Sequence, residues 1–205
     1  MLVDSEPISN RVLTEVLEDI GLAVTYEQAI DLFLGRSWSD NLIEIKKMLR
    51  SNAPSDLYEK YSRRMFNAFE KELLPVAGIR GALDVIINEI CDNVCVASSG
   101  SHEKIRKTLS LTGLYSVFEG RIFSASDVEH GKPEPDLFLK ACCELESDVA
   151  TTVVIEDTLT GVQAAITANI KVLAYTPQGN PSLFKESGAT PFSTMSDLPD
   201  KIRSL

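Results

Sequence analysis

The stretch Thr151-Thr152-Val153-Val154-Ile155-Glu156-Asp157-Thr158 decides the fold class when read with the residues after it: a helical pattern over residues 158–168, then Ile170-Lys171-Val172-Leu173-Ala174-Tyr175. Both apolar runs have strand length and carry hydrophobic side chains on both faces, which suits strands covered on each side. A strand, a helix and a second buried strand in that order imply a parallel sheet. The alternation extends upstream. A helix over residues 79–90 leads to Asn93-Val94-Cys95-Val96-Ala97-Ser98, and a helix over residues 102–111, closed by Gly113, follows it. Arg121-Ile122-Phe123-Ser124 is a further strand, with a helix over residues 134–145 behind it. The fold class is α/β.

The first seventy-odd residues carry no strand signal. Val12, Val16, Leu17 and Ile20 recur at helical spacing and stop at Gly21, a left-handed C-terminal cap. Thr25 with Gln28 forms a capping-box pattern for a second helix that ends near Gly35. Residues 40–49 and 57–73 read as two more, the first stopped by Ser51-Asn52-Ala53-Pro54. This is a small helical bundle set ahead of the sheet.

A chain of 205 residues has room for one domain and a smaller one inserted into it. Twenty basic against thirty acidic side chains give a net charge of −10. Such a surface repels nucleic-acid backbones and anionic membranes, so neither is expected as a partner. Cys91, Cys95, Cys142 and Cys143 fit no zinc spacing, and an adjacent pair is a poor disulfide framework. Reduced, mostly buried thiols in a cytoplasmic protein are expected. Acidic residues Asp4 and Glu6 precede any apolar run, so no signal peptide is read, and no stretch has the length of a membrane span.

Ligands of open α/β sheets gather at the carboxyl ends of the strands. After the first strand stands Ser98-Ser99-Gly100-Ser101, opening a helix. Hydroxyls and free amides there can hold an anion, or Ser99 or Ser101 can simply cap the helix. After the second strand comes Gly131-Lys132-Pro133-Glu134-Pro135-Asp136, a lysine flanked by two prolines. Held at this edge, Lys132 could neutralise a phosphate; otherwise it is a solvated loop lysine. After the third stand Glu156 and Asp157, whose charges repel unless a cation or a positive side chain lies between them. Paired oxygens suit Mg²⁺, and both acids would equally complement the dipole of the helix at Thr158. Together these ends describe a phosphate-plus-magnesium pocket.

At these residues the chain resembles the haloacid dehalogenase-like hydrolases, in the branch with a helical cap inserted after the first strand. The resemblance rests on Leu2-Val3-Asp4-Ser5-Glu6-Pro7, Val96-Ala97-Ser98-Ser99-Gly100-Ser101, Gly131 to Asp136, and Val154-Ile155-Glu156-Asp157-Thr158-Leu159-Thr160-Gly161. Asn169 stands where relatives usually carry glycine, and asparagine tolerates the left-handed conformation. The resemblance implies a Rossmann-like core over residues 1–5 and 75–205 and a cap over 6–74. It implies that Ser98 and the amides of Ser99 and Gly100 bind the phosphoryl group. Lys132 would balance its charge, and Asp157 would ligate Mg²⁺, with Glu156 a second ligand or acting through water.

The family motif Asp-x-Asp-Gly-Thr/Val-Leu supplies a nucleophile and an acid/base at the end of the first strand, and Met1 falls on its Thr/Val position. The resemblance therefore sets both carboxylates before Met1, in a longer gene product, and leaves this form inactive. The alternative is a relative that has lost the strand and only binds phosphate. In either case the sheet should split, because the absent strand is central in relatives and lies between residues 93–98 and 151–155.

The resemblance also points to Arg36, Ser37 and Trp38 in the cap as substrate contacts: Arg36 for a second anionic group, Trp38 for a sugar face, with Trp38 in the bundle core as the other option. A phosphoglucomutase is the less favoured outcome, because Ser9 and Asn10 occupy the stretch where those enzymes carry a cap histidine. The expected activity is Mg²⁺-dependent hydrolysis of small phosphorylated metabolites, sugar or polyol phosphates, through an aspartyl-phosphate, by a monomer or weak dimer.

Overall fold

The computed structural model describes residues 1–33, 36–177 and 179–205. Four helices come first: α1 (Ser5–Asp19), α2 (Tyr26–Phe33), α3 (Trp38–Leu49) and α4 (Leu57–Glu72). Local chemistry sets their ends. Gly21 takes φ +84° beyond α1, where its amide donates to Glu18 O at 2.9 Å. Thr25 and Gln28 close the reciprocal box, Gln28 N to Thr25 Oγ1 at 3.2 Å and Thr25 N to Gln28 Oε1 at 2.9 Å. The expected helix end near Gly35 lies outside the described residues. Helix α3 starts two residues before the expected Asp40, because Ser37 Oγ accepts from Asp40 N at 3.2 Å and caps it. Val12, Leu17, Ile45 and Phe69 bury the apolar faces of this bundle against one another.

The rest of the chain alternates: α5 (Ile79–Glu89), β1 (Val96–Ser98), α6 (His102–Leu111), α7 (Tyr115–Phe118), β2 (Ile122–Ser124), α8 (Asp136–Glu144), β3 (Val153–Glu156), α9 (Leu159–Thr167), β4 (Lys171–Tyr175), α10 (Pro181–Glu186), β5 (Thr190–Phe192) and α11 (Leu198–Arg203). Every ladder is parallel, as strands apolar on both faces require. Asn169 has φ 58°, the left-handed turn expected between α9 and β4.

The strands form two separate sheets, β1–β2 and β3–β4–β5, so β1 and β3 each pair along one edge only. Burial records the consequence. Val172, Leu173 and Ala174 of β4, paired on both sides, are buried, while Val96, Ala97, Val153 and Ile155 remain half-buried. A cavity of about 980 Å³ opens between the sheets, bounded by Ile86 and Ile202 from one helical layer and by Phe138 and Cys142 from the other. The split expected from the sequence is thus present. The run at residues 93–98 supplies only three strand residues, since β1 has β2 alone to pair with; Asn93 Nδ2 instead donates to Ser147 Oγ at 2.9 Å.

Two passages of chain join the bundle to the sheets side by side. Val3 bridges Pro75 in antiparallel fashion, Asp4 N donates to Leu74 O at 3.0 Å, and Val76 N to Leu2 O at 3.1 Å. The cysteines are all free, yet the expectation that they are mostly buried fails: Cys91 and Cys143 are exposed and only Cys142 is buried. Cys143 follows Cys142 on α8, and adjacent helical residues cannot share one face. Among the described residues no helix is long and apolar enough to cross a membrane.

Candidate functional site

The carboxyl ends of β1 and β3 meet above the split. Ser98 ends β1, and its Oγ accepts from Gly100 N at 3.1 Å. Capping of α6 falls to Ser101, whose Oγ accepts from Lys104 N at 3.3 Å, so Ser98, Ser99 and Gly100 line the cavity without having to cap. The turn is braced from β2, where Ser124 Oγ donates to Gly100 O at 2.7 Å.

Lys132 spans the split. Its ammonium donates to Ala97 O on β1 at 3.0 Å and pairs with Glu156 at the end of β3. The side chain is 5% exposed and its Nζ stands 4.7 Å from the centre of the Phe138 ring, so this is a desolvated charge and not a solvated loop lysine. Glu156 is held from its other oxygen as well. Oε2 accepts from Thr158 Oγ1 at 3.0 Å and from Asp157 N at 3.1 Å. Thr158 in turn caps α9, accepting from Gly161 N at 3.1 Å. A Cβ at position 161 would collide with the Glu156 carboxylate, which is why the helix needs glycine there. The positive side chain that faces Glu156 is therefore Lys132.

Asp157 points elsewhere. It is a third exposed, and its Oδ2 lies 2.8 Å from the Met1 nitrogen. Among the described residues no group of three or more His, Cys, Asp or Glu side chains is arranged to hold a metal. A Mg²⁺ ion usually takes one or two carboxylates and completes its shell with water and phosphate oxygens. Asp157 fits one such position; both oxygens of Glu156 are already engaged.

Across the cavity, Arg36 and Trp38 line the wall formed by the helical bundle, while Ser37 caps α3 and does not. Trp38 stacks on Tyr61 with ring centres 5.3 Å apart and tilts against Tyr58 at 5.0 Å, so it joins the bundle core and lines the cavity at once. Burial pushes the Tyr61 hydroxyl up to about 12, an effect that proximity to Ser9 partly offsets. Two charged residues missed by the sequence reading lie here. Burial pushes the Lys104 ammonium down, partly offset by Glu6, and pushes the Glu6 carboxyl up, reinforced by Asp157. The signal for Lys104 was its place three residues after the Ser101 cap, in the first turn of a helix that begins at the cavity.

His102 is half-buried, its Nε2 2.8 Å from Asp127, and His130 is exposed, its Nδ1 3.4 Å from Asp136.

Comparison with known proteins points one way. A family profile described as haloacid dehalogenase-like hydrolase matches residues 1–175. The chain is 24% identical to a 6-phosphogluconate phosphatase of Escherichia coli, over 97% of this chain and 89% of that protein. It is 25% identical to hexitol phosphatase B of the same species, over 83% of this chain and 77% of that one. Among solved structures, a conserved haloacid dehalogenase-like protein of unknown function from Agrobacterium tumefaciens superposes with a TM-score of 0.79 at 26% identity, covering 99% of this chain and 93% of that one.

Proposed function

The chain belongs to the haloacid dehalogenase-like hydrolases, and from that premise we propose that its cavity takes small phosphomonoesters, sugar or polyol phosphates. The phosphoryl group lies against Ser98 and the amides of Ser99 and Gly100, with Lys132 opposing its charge. The single observation that carries this is the Lys132 ammonium, desolvated between Ala97 O and Glu156 and beside the Ser98 turn. A buried ammonium beside a turn that opens a helix favours an anion by its electrostatics. The names of the two Escherichia coli relatives support the substrate class.

Asp157 would give one ligand to a Mg²⁺ ion, whose charge would help neutralise the phosphoryl oxygens. Glu156 acts by holding Lys132 and the start of α9, and through Asp157 rather than on the ion itself. The Arg36 guanidinium and the Trp38 ring would meet the remainder of the substrate, and Ser37 serves them by capping α3. The residues from 6 to 74 act as the cap over a core formed by 1–5 and 75–205.

Family chemistry runs through an aspartyl-phosphate, and the 205 residues contain no Asp-x-Asp-Gly motif to form it. We propose that this polypeptide binds phosphomonoesters without turning them over. Assay of p-nitrophenyl phosphate with Mg²⁺ tests this. The chain itself should show no hydrolysis above buffer, and a form preceded by an apolar strand ending in Asp-x-Asp-Gly should hydrolyse it, with loss on Asp157→Ala. Turnover by the 205-residue chain would refute the binding-only assignment. No turnover by the extended form would favour a phosphate-binding protein outright.

A further inference from the structure

The Ser98–Ser101 turn and the loop that carries Lys132 share a neighbour that stands outside the cavity. It is the short turn Ser124-Ala125-Ser126-Asp127 that follows β2, none of whose residues lines the cavity. Ser124 is fully buried, and its hydroxyl hydrogen goes to Gly100 O at 2.7 Å. Its oxygen accepts from Ser126 N at 3.1 Å and lies 2.9 Å from Ser126 Oγ, so its hydrogen-bonding capacity is filled. Asp127 uses both carboxylate oxygens. Oδ2 accepts from Ser124 N at 2.8 Å, and Oδ1 lies 2.8 Å from Nε2 of His102, the first residue of α6. On the other flank, the Ala125 methyl lies 3.6 Å from where a Cβ on Gly131 would stand, immediately before Lys132. One turn thus grips the start of α6 and the Gly100 carbonyl, and abuts the lysine loop as well.

We propose that Ser124, Asp127 and His102 are positioning residues of the anion site, which keep it receptive to negative charge without touching the ligand. The inference rests on the phosphate assignment above and adds to it what holds the binding turn in shape. A peptide plane points its C=O and its N–H in opposite directions. Gly100 lines the cavity, and glycine offers little resistance to rotation of the peptide that follows it. Rotation there would turn a carbonyl lone pair toward the phosphoryl oxygens and make the turn repel the group it holds. The Ser124 hydroxyl removes that option by keeping the carbonyl directed at the end of β2. The Asp127–His102 contact fixes the first residue of α6, and with it the direction of the amide hydrogens that open the helix.

The test is calorimetric titration of inorganic phosphate at pH 8, where an ordinary imidazole is neutral. The parent chain is compared with Ser124→Ala, His102→Ala and His102→Gln, with Tm measured for each. Ser124→Ala should bind phosphate about tenfold more weakly, the effect of releasing a carbonyl that had a hydrogen bond. His102→Ala should weaken binding about threefold. His102→Gln should come back to within about twofold of the parent, because the glutamine amide offers Asp127 an N–H donor in place of the imidazole. A purely structural role would lower Tm in these variants and leave the affinity unchanged. Parent-like affinity in a folded Ser124→Ala would overturn the proposal, and so would His102→Gln binding no better than His102→Ala. His102 is only half-buried, so its two variants decide the matter even where Ser124→Ala does not fold. Failure of the parent chain to bind phosphate would overturn the phosphate assignment, and this inference with it. Phosphate binding that is the same in the parent and every variant would overturn this inference alone.

Discussion

Lys132 and Glu156 form a buried ion pair that ties two sheets with no shared ladder: the lysine donates to a β1 carbonyl at 3.0 Å and pairs with the carboxylate that ends β3. Side chains 5% and 9% exposed hold this bridge. Breaking a buried pair from one side leaves an uncompensated charge, which is costlier than never having had the pair. Lys132→Met should therefore destabilise the chain by about 3 kcal/mol, the low end of the usual range because Thr158 Oγ1 and Asp157 N still face the carboxylate. Lys132→Met with Glu156→Gln should recover most of that loss. Denaturant unfolding of the four forms checks it, and additive losses would contradict the coupling.

Gly161 sets how closely α9 approaches the Glu156 carboxylate. Gly161→Ala introduces a methyl group into space that carboxylate occupies. Overpacking of this kind costs about 1–3 kcal/mol. Because the displaced group is the partner of Lys132, affinity for inorganic phosphate should fall along with Tm. Thermal unfolding and phosphate titration on the same preparation would show whether the two losses travel together.

Asp127 offers a pH test. Burial alone would raise its carboxyl, but the Ser124 N–H at 2.8 Å and His102 hold it below its ordinary 3.8. A carboxyl lowered in the folded state binds fewer protons there than when unfolded, so its contribution is present above about pH 4 and is lost as pH falls through the lowered value. Asp127→Asn should cost about 1 kcal/mol at pH 7, as loss of a cap does, or roughly 2–4 °C in Tm. The difference from the parent chain should shrink in acid. A difference that persists unchanged at the lowest pH would show that the carboxylate charge is not the cause.

The unpaired edges of β1 and β3 should make the split sheet open more readily than the bundle. Amide hydrogen exchange should be roughly tenfold faster in peptides covering β1 and β3 than in those covering α1 and β4. Uniform protection across all four would mean that the cavity does not weaken its walls.

The parts of this fold legible from sequence are those governed by neighbours in the chain. Gly21, the Thr25–Gln28 box and the left-handed Asn169 act within a few residues, and each stands where the pattern put it. The both-sided apolar runs likewise announced the parallel ladders. Composition over residues 93–98 overstated β1, because strand length depends on a partner and only β2 is there. The short elements α7, α10, β5 and α11 carry too few residues for periodicity to register. Within the site, Ser98 and Lys132 could be picked out at strand ends, and a positive side chain between the acids was one open option for Glu156 and Asp157. The approach of Lys104 to Glu6 at the cavity was not legible, since the two come from separate helices and come near each other only in the folded chain.

Calorimetric titration of inorganic phosphate into the 205-residue chain tests the central claim most directly. One saturable site per chain is expected, weakened at least about tenfold by Ser98→Ala, the loss that goes with one hydrogen bond to a charged group. No saturable heat in the parent chain, or equal affinity in the parent and Ser98→Ala, would contradict it.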